Sequence, residues 1–454
     1  MTTNDTPVRL FGTDGIRGRY GTGWLTPGPV SALGRVIGQT LTGAKGGSAL
    51  VGHDGRRSGP ELEHAISRGL RSAGVEVKSA GLITTPGVAL LGKRLPFDLS
   101  VMISASHNPA ADNGIKVFGA EGEKLADEVE LEIERGVLAD PTPAPDGPRP
   151  PHDPSLELAY LDTLREAVGD LQLTGMTIVL DCANGGGSRV APRILGRLGA
   201  HVVSIACSPD GDNINDGCGS TQPESLREAV RLNSADLGIA LDGDGDRCIL
   251  VDERAGLVNG DGILTVLARH ARARGRMADA RIVATVMSNK GLHRALRQVG
   301  VSVVTVDVGD RRVVEALRRE QLALGGEQSG HVVFGAEHHY VGDGIYTALR
   351  TLIAMREEKK PLSELARPYQ PFPQVLMNVP VASKPDWSEL PSVVAAVRAV
   401  ESALGEDGRV LLRYSGTEPL ARVMVEGPDE QAIRRQARSI AVELEYAIGS
   451  ANRA

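Results

Sequence analysis

Short apolar runs that break off into glycine-rich polar stretches recur along the chain. Ser48–Gly52, Val101-Met102-Ile103, Thr177–Leu180, Ala235–Leu241, Arg281–Met287 and Val301–Val306 have the length and composition of buried strands. Between them lie helical patterns. Leu62, Ala65, Ile66 and Leu70 fall on one helical face, behind Ser58 and Glu61 at capping-box spacing, and predict a helix to about Ala73. Further helices are predicted near Leu156–Val168, at 345–357 behind an Asp343 cap, and near 388–404 and 429–447. This alternation predicts layered α/β domains with mainly parallel sheets.

The 454 residues exceed one ordinary core and suggest roughly three or four domains. Residues 141–154, with seven prolines, read as a linker or extended crossover, and the Pro-rich segment Arg367–Pro373 reads as a hinge. We therefore divide the chain at 1–154, 155–257, 258–370 and 371–454. The first three segments share one design, a strand, a polar loop and a helix, although no repeat is visible in the letters. The last reads β-α-β-β-α.

Composition narrows the function classes. A net charge of −7 excludes a general nucleic-acid binder, so any anion site must concentrate Arg and Lys locally. The abundance of glycine (55 residues) fits tight turns and close backbone approach to ligands. The four cysteines form no CxxC pair and predict reduced thiols. No apolar run approaches the roughly 18 residues of a membrane span, and residues 1–9 form a polar tail without an apolar targeting segment. The expectation is a cytoplasmic protein with no membrane partner.

Candidate chemistry gathers in the polar loops. Ser100–Phe118 runs from a strand into Ser106-His107-Asn108-Pro109 and on to Lys116, placing a hydroxyl, an imidazole and an amine on one loop. Taken alone, it reads equally as a surface turn. Asp242-Gly-Asp-Gly-Asp-Arg247 follows an apolar strand; its alternate glycines let Asp242, Asp244 and Asp246 converge as hard oxygen ligands for Mg²⁺ or Ca²⁺. It is not an EF-hand loop, since Arg247 stands at the sixth position, where that loop needs glycine. Arg17 in Phe11–Gly18 offers a planar fork for phosphate, although taken alone the loop reads equally as a plain turn. Gly326-Glu-Gln-Ser-Gly-His331 offers Glu327 and Ser329 for vicinal hydroxyls, with His331 either a proton shuttle or a structural histidine. Arg413, Ser415, Gly416, Thr417 and Arg422 combine guanidiniums, hydroxyls and a glycine as a phosphate site would, although taken alone they fit an ordinary hairpin turn better. There is no Walker A motif. His338 and His339 read as surface loop residues.

Taken together, FGTDGIRG, ISASHNP with DNGIK, DGDGDR, VGDR, GEQSGH and SGTEP followed by RVMVEG resemble the α-D-phosphohexomutase family over nearly the whole chain. VGDR and GEQSGH point toward its glucosamine branch. Departures are Tyr414 where Pro is frequent, Arg312 where an aromatic is common, and Tyr340-Val341 before GDG. The resemblance implies four domains around a central cleft: three similar mixed-sheet α/β/α domains and a smaller C-terminal α+β domain. It implies a phosphorylated Ser106, with Mg²⁺ held by that phosphate, Asp242, Asp244 and Asp246. Arg17 and Arg247 would stabilise the transferring group, and Lys116 would act as general acid/base with His107 in support. Glu327, Ser329 and His331 would meet the sugar; Arg413, Ser415, Gly416, Thr417 and Arg422 would hold its phosphate. The implied reaction exchanges the 6- and 1-phosphates of glucosamine through a 1,6-bisphosphate, feeding nucleotide-sugar and cell-wall synthesis, in a monomer or homodimer. A mutase for mannose or glucose phosphates, and a non-catalytic sugar-phosphate sensor, are the alternatives.

Overall fold

The computed structural model describes residues 10–12, 14–336, 338–415 and 419–449. The chain divides into two units, Met1–Met287 with Val299–Arg367, and Ser288–Gln298 with Pro368–Ala454.

The first unit contains three sheets. One holds β1 (Ile16–Arg19), β2 (Gly47–His53), β3 (Val75–Leu82), β4 (Leu99–Ile103) and β5 (Asp112–Gly119) in the order β1-β5-β4-β2-β3. The next holds β6 (Thr177–Asp181), β7 (His201–Ile205), β8 (Leu237–Leu241), β9 (Cys248–Asp252) and β10 (Leu257–Val258) in the order β10-β9-β8-β6-β7. The third holds β11 (Arg281–Thr285), β12 (Ser302–Val306), β13 (Leu324–Gly326) and β14 (Val332–Phe334) in the order β12-β11-β13-β14.

These orders are one topology used three times. In each sheet a parallel trio is followed by a strand that returns antiparallel beside the third member: β5 on β4, β9 on β8, β14 on β13. The duplication that the letters conceal is therefore plain in the strand order. It also corrects the mainly parallel expectation, because the sheets are mixed. The reason is local. Parallel neighbours need a long crossover, whereas a short loop permits only an antiparallel return. The polar stretches after β4, β8 and β13 are that short. Each is a hairpin joining the third strand of the trio to its antiparallel partner, and the three hairpins carry Ser106, Asp242-Gly-Asp-Gly-Asp-Arg247 and Glu327–His331.

Each sheet is held by apolar side chains from the strands and flanking helices. In the first, Val51, Val101, Ile103 and Ile115 pack with Leu33, Ile37, Leu62 and Ile66 in one buried cluster. The helix Gly59–Ser72 forms as its apolar spacing predicts, but without the capping box. The Ser58 hydroxyl instead accepts from Asn113 Nδ2 (2.8 Å), and Glu61 accepts from the Tyr20 hydroxyl. The Pro-rich stretch is laid down as extended backbone: Ser79 N–H donates to Pro151 O (3.0 Å) and Asp153 N–H to Ser79 O (2.8 Å), along β3. Asp343 does cap the helix Gly344–Glu358, accepting from Tyr346 N–H (2.9 Å).

The second unit has a sheet of β15 (Gln374–Pro380), β16 (Arg409–Tyr414) and β17 (Leu420–Glu426), ordered β15-β17-β16 and wholly antiparallel. The helices Pro391–Leu404 and Glu430–Ile448 bury Val393, Val400, Ile433, Ile440 and Leu444 in one cluster with this sheet. No helix among the described residues is long and apolar enough to cross a membrane.

Candidate active site

The β4–β5 hairpin turns on Ser106, whose φ of 53° lies in the left-handed region and is unusual for a residue with a Cβ. Its backbone is fixed by neighbours. Ser106 N–H donates to Ser104 Oγ (2.8 Å), and that hydroxyl donates to Asp54 Oδ2 (2.6 Å). Gly243 of the β8–β9 hairpin packs so closely on this turn that a Cβ there would lie 2.6 Å from Ser106 O. The two hairpins meet, and Ser106 Oγ donates to Asp242 Oδ2 at 2.7 Å. His107 Nδ1 is 3.4 Å from the same hydroxyl oxygen.

Lys116 comes from β5 and is 2% exposed. Its Nζ lies 2.8 Å from Asp14, 2.8 Å from Asp244 and 3.4 Å from Asp246. Burial opposes its charge, but Asp14, Asp244 and Asp246 outweigh burial and hold its pKa well above the ordinary lysine value. Asp14 reaches the site because Gly15, at φ +81°, lets the loop cross β5; a Cβ there would meet Ile115 O at 2.3 Å. Asp14 also pairs with Arg17 and Lys124, and Lys124 continues to Asp310.

The three aspartates of the second hairpin place oxygen atoms within 4.8 Å of one another, all buried. Burial, then Asp246 and Asp244, lift the Asp242 carboxyl well above the carboxylate range. Burial pushes Asp244 the same way, but Lys116 and the Thr85 hydroxyl (2.5 Å) more than offset it and hold it low. Asp244 Oδ1 and Asp246 Oδ1 are buried without a hydrogen-bond partner. Carboxylates crowded this way, with lone pairs left over in the interior, fit a hard divalent cation. Asp242, Asp244 and Asp246 could hold such an ion.

Arg247, at the end of this hairpin, and Arg17 line a cavity of about 500 Å³ together with His107, Asp246, Glu327 and His331. Burial, with Arg247 and Arg17, lowers the His107 pKa to about 4, so the ring is neutral near pH 7. Glu327 accepts from Gly309 N–H (3.3 Å), and His331 Nε2 lies 4.0 Å from Asp246. Ser329 is exposed on the same turn.

In the second unit, Arg413 on β16 stands directly opposite Arg422 on β17, so both project from one face of the sheet. Ser415 N–H donates to Leu420 O (2.8 Å), and Lys384 Nζ donates to Ser415 O (2.5 Å). The Tyr414 ring stacks on Trp387 with centroids 3.9 Å apart. Gly416 and Thr417 lie outside the described residues.

His338 and His339 are not surface residues. Both side chains are buried around Asp343, with Nε2 atoms 3.0 and 3.6 Å from Asp343 Oδ2. Val341 N–H donates to His339 Nδ1 (3.1 Å), which leaves the proton of the neutral ring on Nε2, facing the carboxylate. Of the two rings, only His338 is within hydrogen-bond distance of Asp343; His339 Nε2 is buried beside the carboxylate without a hydrogen-bond partner, and with Nδ1 accepting from Val341 it has no lone pair turned toward a cation. Asp14, Thr85 and Lys124 belong to the site but were not singled out from the sequence. Asp14 had a visible signal in its glycine-framed loop; Thr85 and Lys124 had none.

Four family models match the chain in order: phosphoglucomutase/phosphomannomutase α/β/α domain I over residues 8–142, domain II over 159–256, domain III over 259–372 and the C-terminal domain over 376–442. The chain belongs to the phosphoglucomutase/phosphomannomutase family. Among curated members, the phosphoglucosamine mutase of Symbiobacterium thermophilum is 48% identical over 95% of this chain and 98% of its own. That of Rhodococcus opacus is 49% identical with the same coverage. Among solved structures, a family protein from Burkholderia thailandensis matches with a TM-score of 0.78 at 25% identity, covering 97% of both chains. A phosphomannomutase-like protein from Thermus thermophilus matches with a TM-score of 0.76 at 24% identity, covering 95% of this chain and 98% of its own.

Proposed function

We propose that the chain interconverts glucosamine 6-phosphate and glucosamine 1-phosphate through a phosphorylated Ser106. The observation that carries this reading is the meeting of two hairpins, with Ser106 Oγ 2.7 Å from Asp242 beside the buried Lys116–Asp244 pair. The names of the near-full-length relatives support the amino sugar over glucose or mannose. Two departures from the family pattern, Arg312 and Tyr340, do not line the cavity. Arg312 pairs with Glu315 (3.0 Å) on an exposed helical face, and Tyr340 lies under the Arg318 guanidinium (4.3 Å).

In the forward step, the bond between phosphorus and Ser106 Oγ breaks as one forms to a sugar hydroxyl oxygen, giving a 1,6-bisphosphate. The hydroxyl proton leaves to a base, and the departing Oγ takes up a proton. Lys116, held charged, is in the state to give that proton, and neutral His107 is in the state to accept the other. Arg17 and Arg247 present guanidiniums to the cavity that the transferring group would occupy. Mg²⁺ held by Asp242, Asp244, Asp246 and the Ser106 phosphate would supply charge neutralisation. Glu327, with Ser329 and His331 on its hairpin, would receive the sugar, and Arg413, Ser415, Gly416, Thr417 and Arg422 its resident phosphate. The bisphosphate would then present its other phosphate to Ser106, and added bisphosphate would activate the enzyme. The four unpaired cysteines suit a cytoplasmic setting.

The test is ³¹P NMR of the 1-phosphate formed from glucosamine, glucose and mannose 6-phosphates with Mg²⁺ and a trace of sugar bisphosphate. Fastest conversion of the amino sugar is expected. Faster conversion of glucose or mannose phosphate would move the enzyme to the other branch. No conversion of any, with Ser106 phosphorylated, would leave a sugar-phosphate sensor.

A further inference from the structure

Arg56 follows β2 and takes no part in the cavity, yet it is wholly buried at 0% exposure. All five N–H bonds of its guanidinium are engaged. Nε donates to Asp54 Oδ2 (2.9 Å). Nη2 donates to Ser106 O (2.8 Å) and Asn108 O (2.9 Å). Nη1 donates to Asp112 O (3.0 Å) and to Pro109 O. Four of the five acceptors are main-chain carbonyls of the β4–β5 hairpin, converging on one planar group.

A second clamp grips the same carbonyls. Asn215 Nδ2, from the neighbouring α/β layer, donates to Ser106 O (3.0 Å) and Asn108 O (3.1 Å). The left-handed turn at Ser106 is costly for a residue with a Cβ and persists only where its surroundings over-determine it. Arg56 and Asn215 supply that determination from inside the loop. The Arg56 charge is matched by Asp54, also 0% exposed, so the pair brings little net charge to the nucleophile. What the guanidinium supplies is shape: a rigid five-donor fork that the single nitrogen of a lysine cannot reproduce.

We propose that Arg56 is a positioning residue for phosphoryl transfer, fixing the direction of Ser106 Oγ by clamping the carbonyls of its hairpin. The inference rests on Ser106 being the phosphoryl carrier. In-line transfer depends on alignment, and a displacement of about 1 Å is enough to lower a rate about 10²-fold.

The experiment compares full-length Arg56→Lys with wild-type enzyme under the same Mg²⁺ and glucose 1,6-bisphosphate. Lysine keeps the charge opposite Asp54 and loses the fork. The expected result is a folded variant by circular dichroism, KM for glucosamine 6-phosphate within about twofold, and kcat lower by about 10²-fold. Ser106 phosphorylation by the bisphosphate, followed by mass spectrometry in a single turnover, should slow by the same factor. A purely structural Arg56 would lower the melting temperature and leave kcat per folded molecule unchanged, and that result overturns the proposal. Should Arg56→Lys fail to fold, Asn215→Ala removes the second clamp: a smaller fall in kcat at constant KM supports the proposal, and an unchanged kcat overturns it. An inactive wild type would defeat the reaction itself, and this inference with it; an active wild type beside an equally active Arg56→Lys defeats this inference alone.

Discussion

The Lys116 ammonium lies 2.8 Å from Asp244 Oδ2, and neither side chain is open to solvent. A buried pair of this kind couples stability to chemistry, because either partner left alone is an uncompensated interior charge. Lys116→Met should destabilise the protein by about 3–5 kcal/mol by stranding Asp244, whereas Asp14 keeps Arg17 and Lys124. It should also lower kcat at least about 10²-fold through loss of an acid–base group. Denaturant melts and steady-state turnover check the two separately. Full turnover in a stable Lys116→Met enzyme would remove Lys116 from the reaction.

Ser106→Ala should leave the fold intact and abolish turnover. The hydroxyl donates to Asp242 and lies 3.4 Å from His107 Nδ1, so its loss is expected to change stability by only about 1 kcal/mol. The check is exchange between 6- and 1-phosphates in a variant of normal melting temperature. A turning-over alanine enzyme would end the phosphoserine reading.

Chelation should silence the enzyme, and Mg²⁺ should restore it. Binding to the crowded carboxylates should also raise the melting temperature, with about 2.7 kcal/mol gained at one hundred times Kd. Asp246→Asn removes one of the converging ligands and should shift this titration to higher Mg²⁺. A melting temperature indifferent to Mg²⁺ in the wild-type protein would mean that the three aspartates do not collect the ion.

Glu63 predicts a pH dependence away from the site. Burial lifts its pKa from 4.5 to about 7, although the Ser79 hydroxyl (2.6 Å) favours the charged form. A folded pKa above the unfolded one means that the native state holds the proton more tightly. The stability this provides is full below about pH 4.5 and is lost as pH rises through about 7. By pH 8 the loss is about 3 kcal/mol. Glu63→Gln, neutral throughout, should be the more stable protein at pH 8 and should flatten this slope. Parallel melting curves for the two proteins from pH 5 to 8 would refute it.

Most of the cavity was legible because its side chains lie in glycine-punctuated loops directly after apolar runs. Ser106, Asp242, Asp244, Asp246 and Glu327 all carry that local signature. Asp14 was overlooked beside Arg17, since one loop offered both charges and only the cation suggested an anion site. Lys124 and Thr85 act across long sequence separations, which no local pattern records. His338 and His339 look polar, and their burial depends on Asp343, whose capping role was visible while its histidine partners were not. The repeat was hidden because it is conserved as strand order, and strand order is set by where short loops force the chain back. Lys124, Thr85 and the Arg56 clamp share one physical cause for being missed: partners distant in the chain decide them.

The three hairpins occupy equivalent positions in three equivalent sheets, and each is pinned at both ends by its own strand pair. One carries the hydroxyl, one the carboxylates, one the Glu327 turn. The hairpins also touch one another, through Ser106 Oγ to Asp242 Oδ2 (2.7 Å) and Cys248 N–H to Gly330 O (3.0 Å), so a change in one is felt by the next. If Glu327, Ser329 and His331 meet the sugar as proposed, a change of substrate would arise within residues 327–331 while keeping those contacts. Exchanging that one hairpin between relatives is the smallest graft by which a new sugar could be taught to an old reaction.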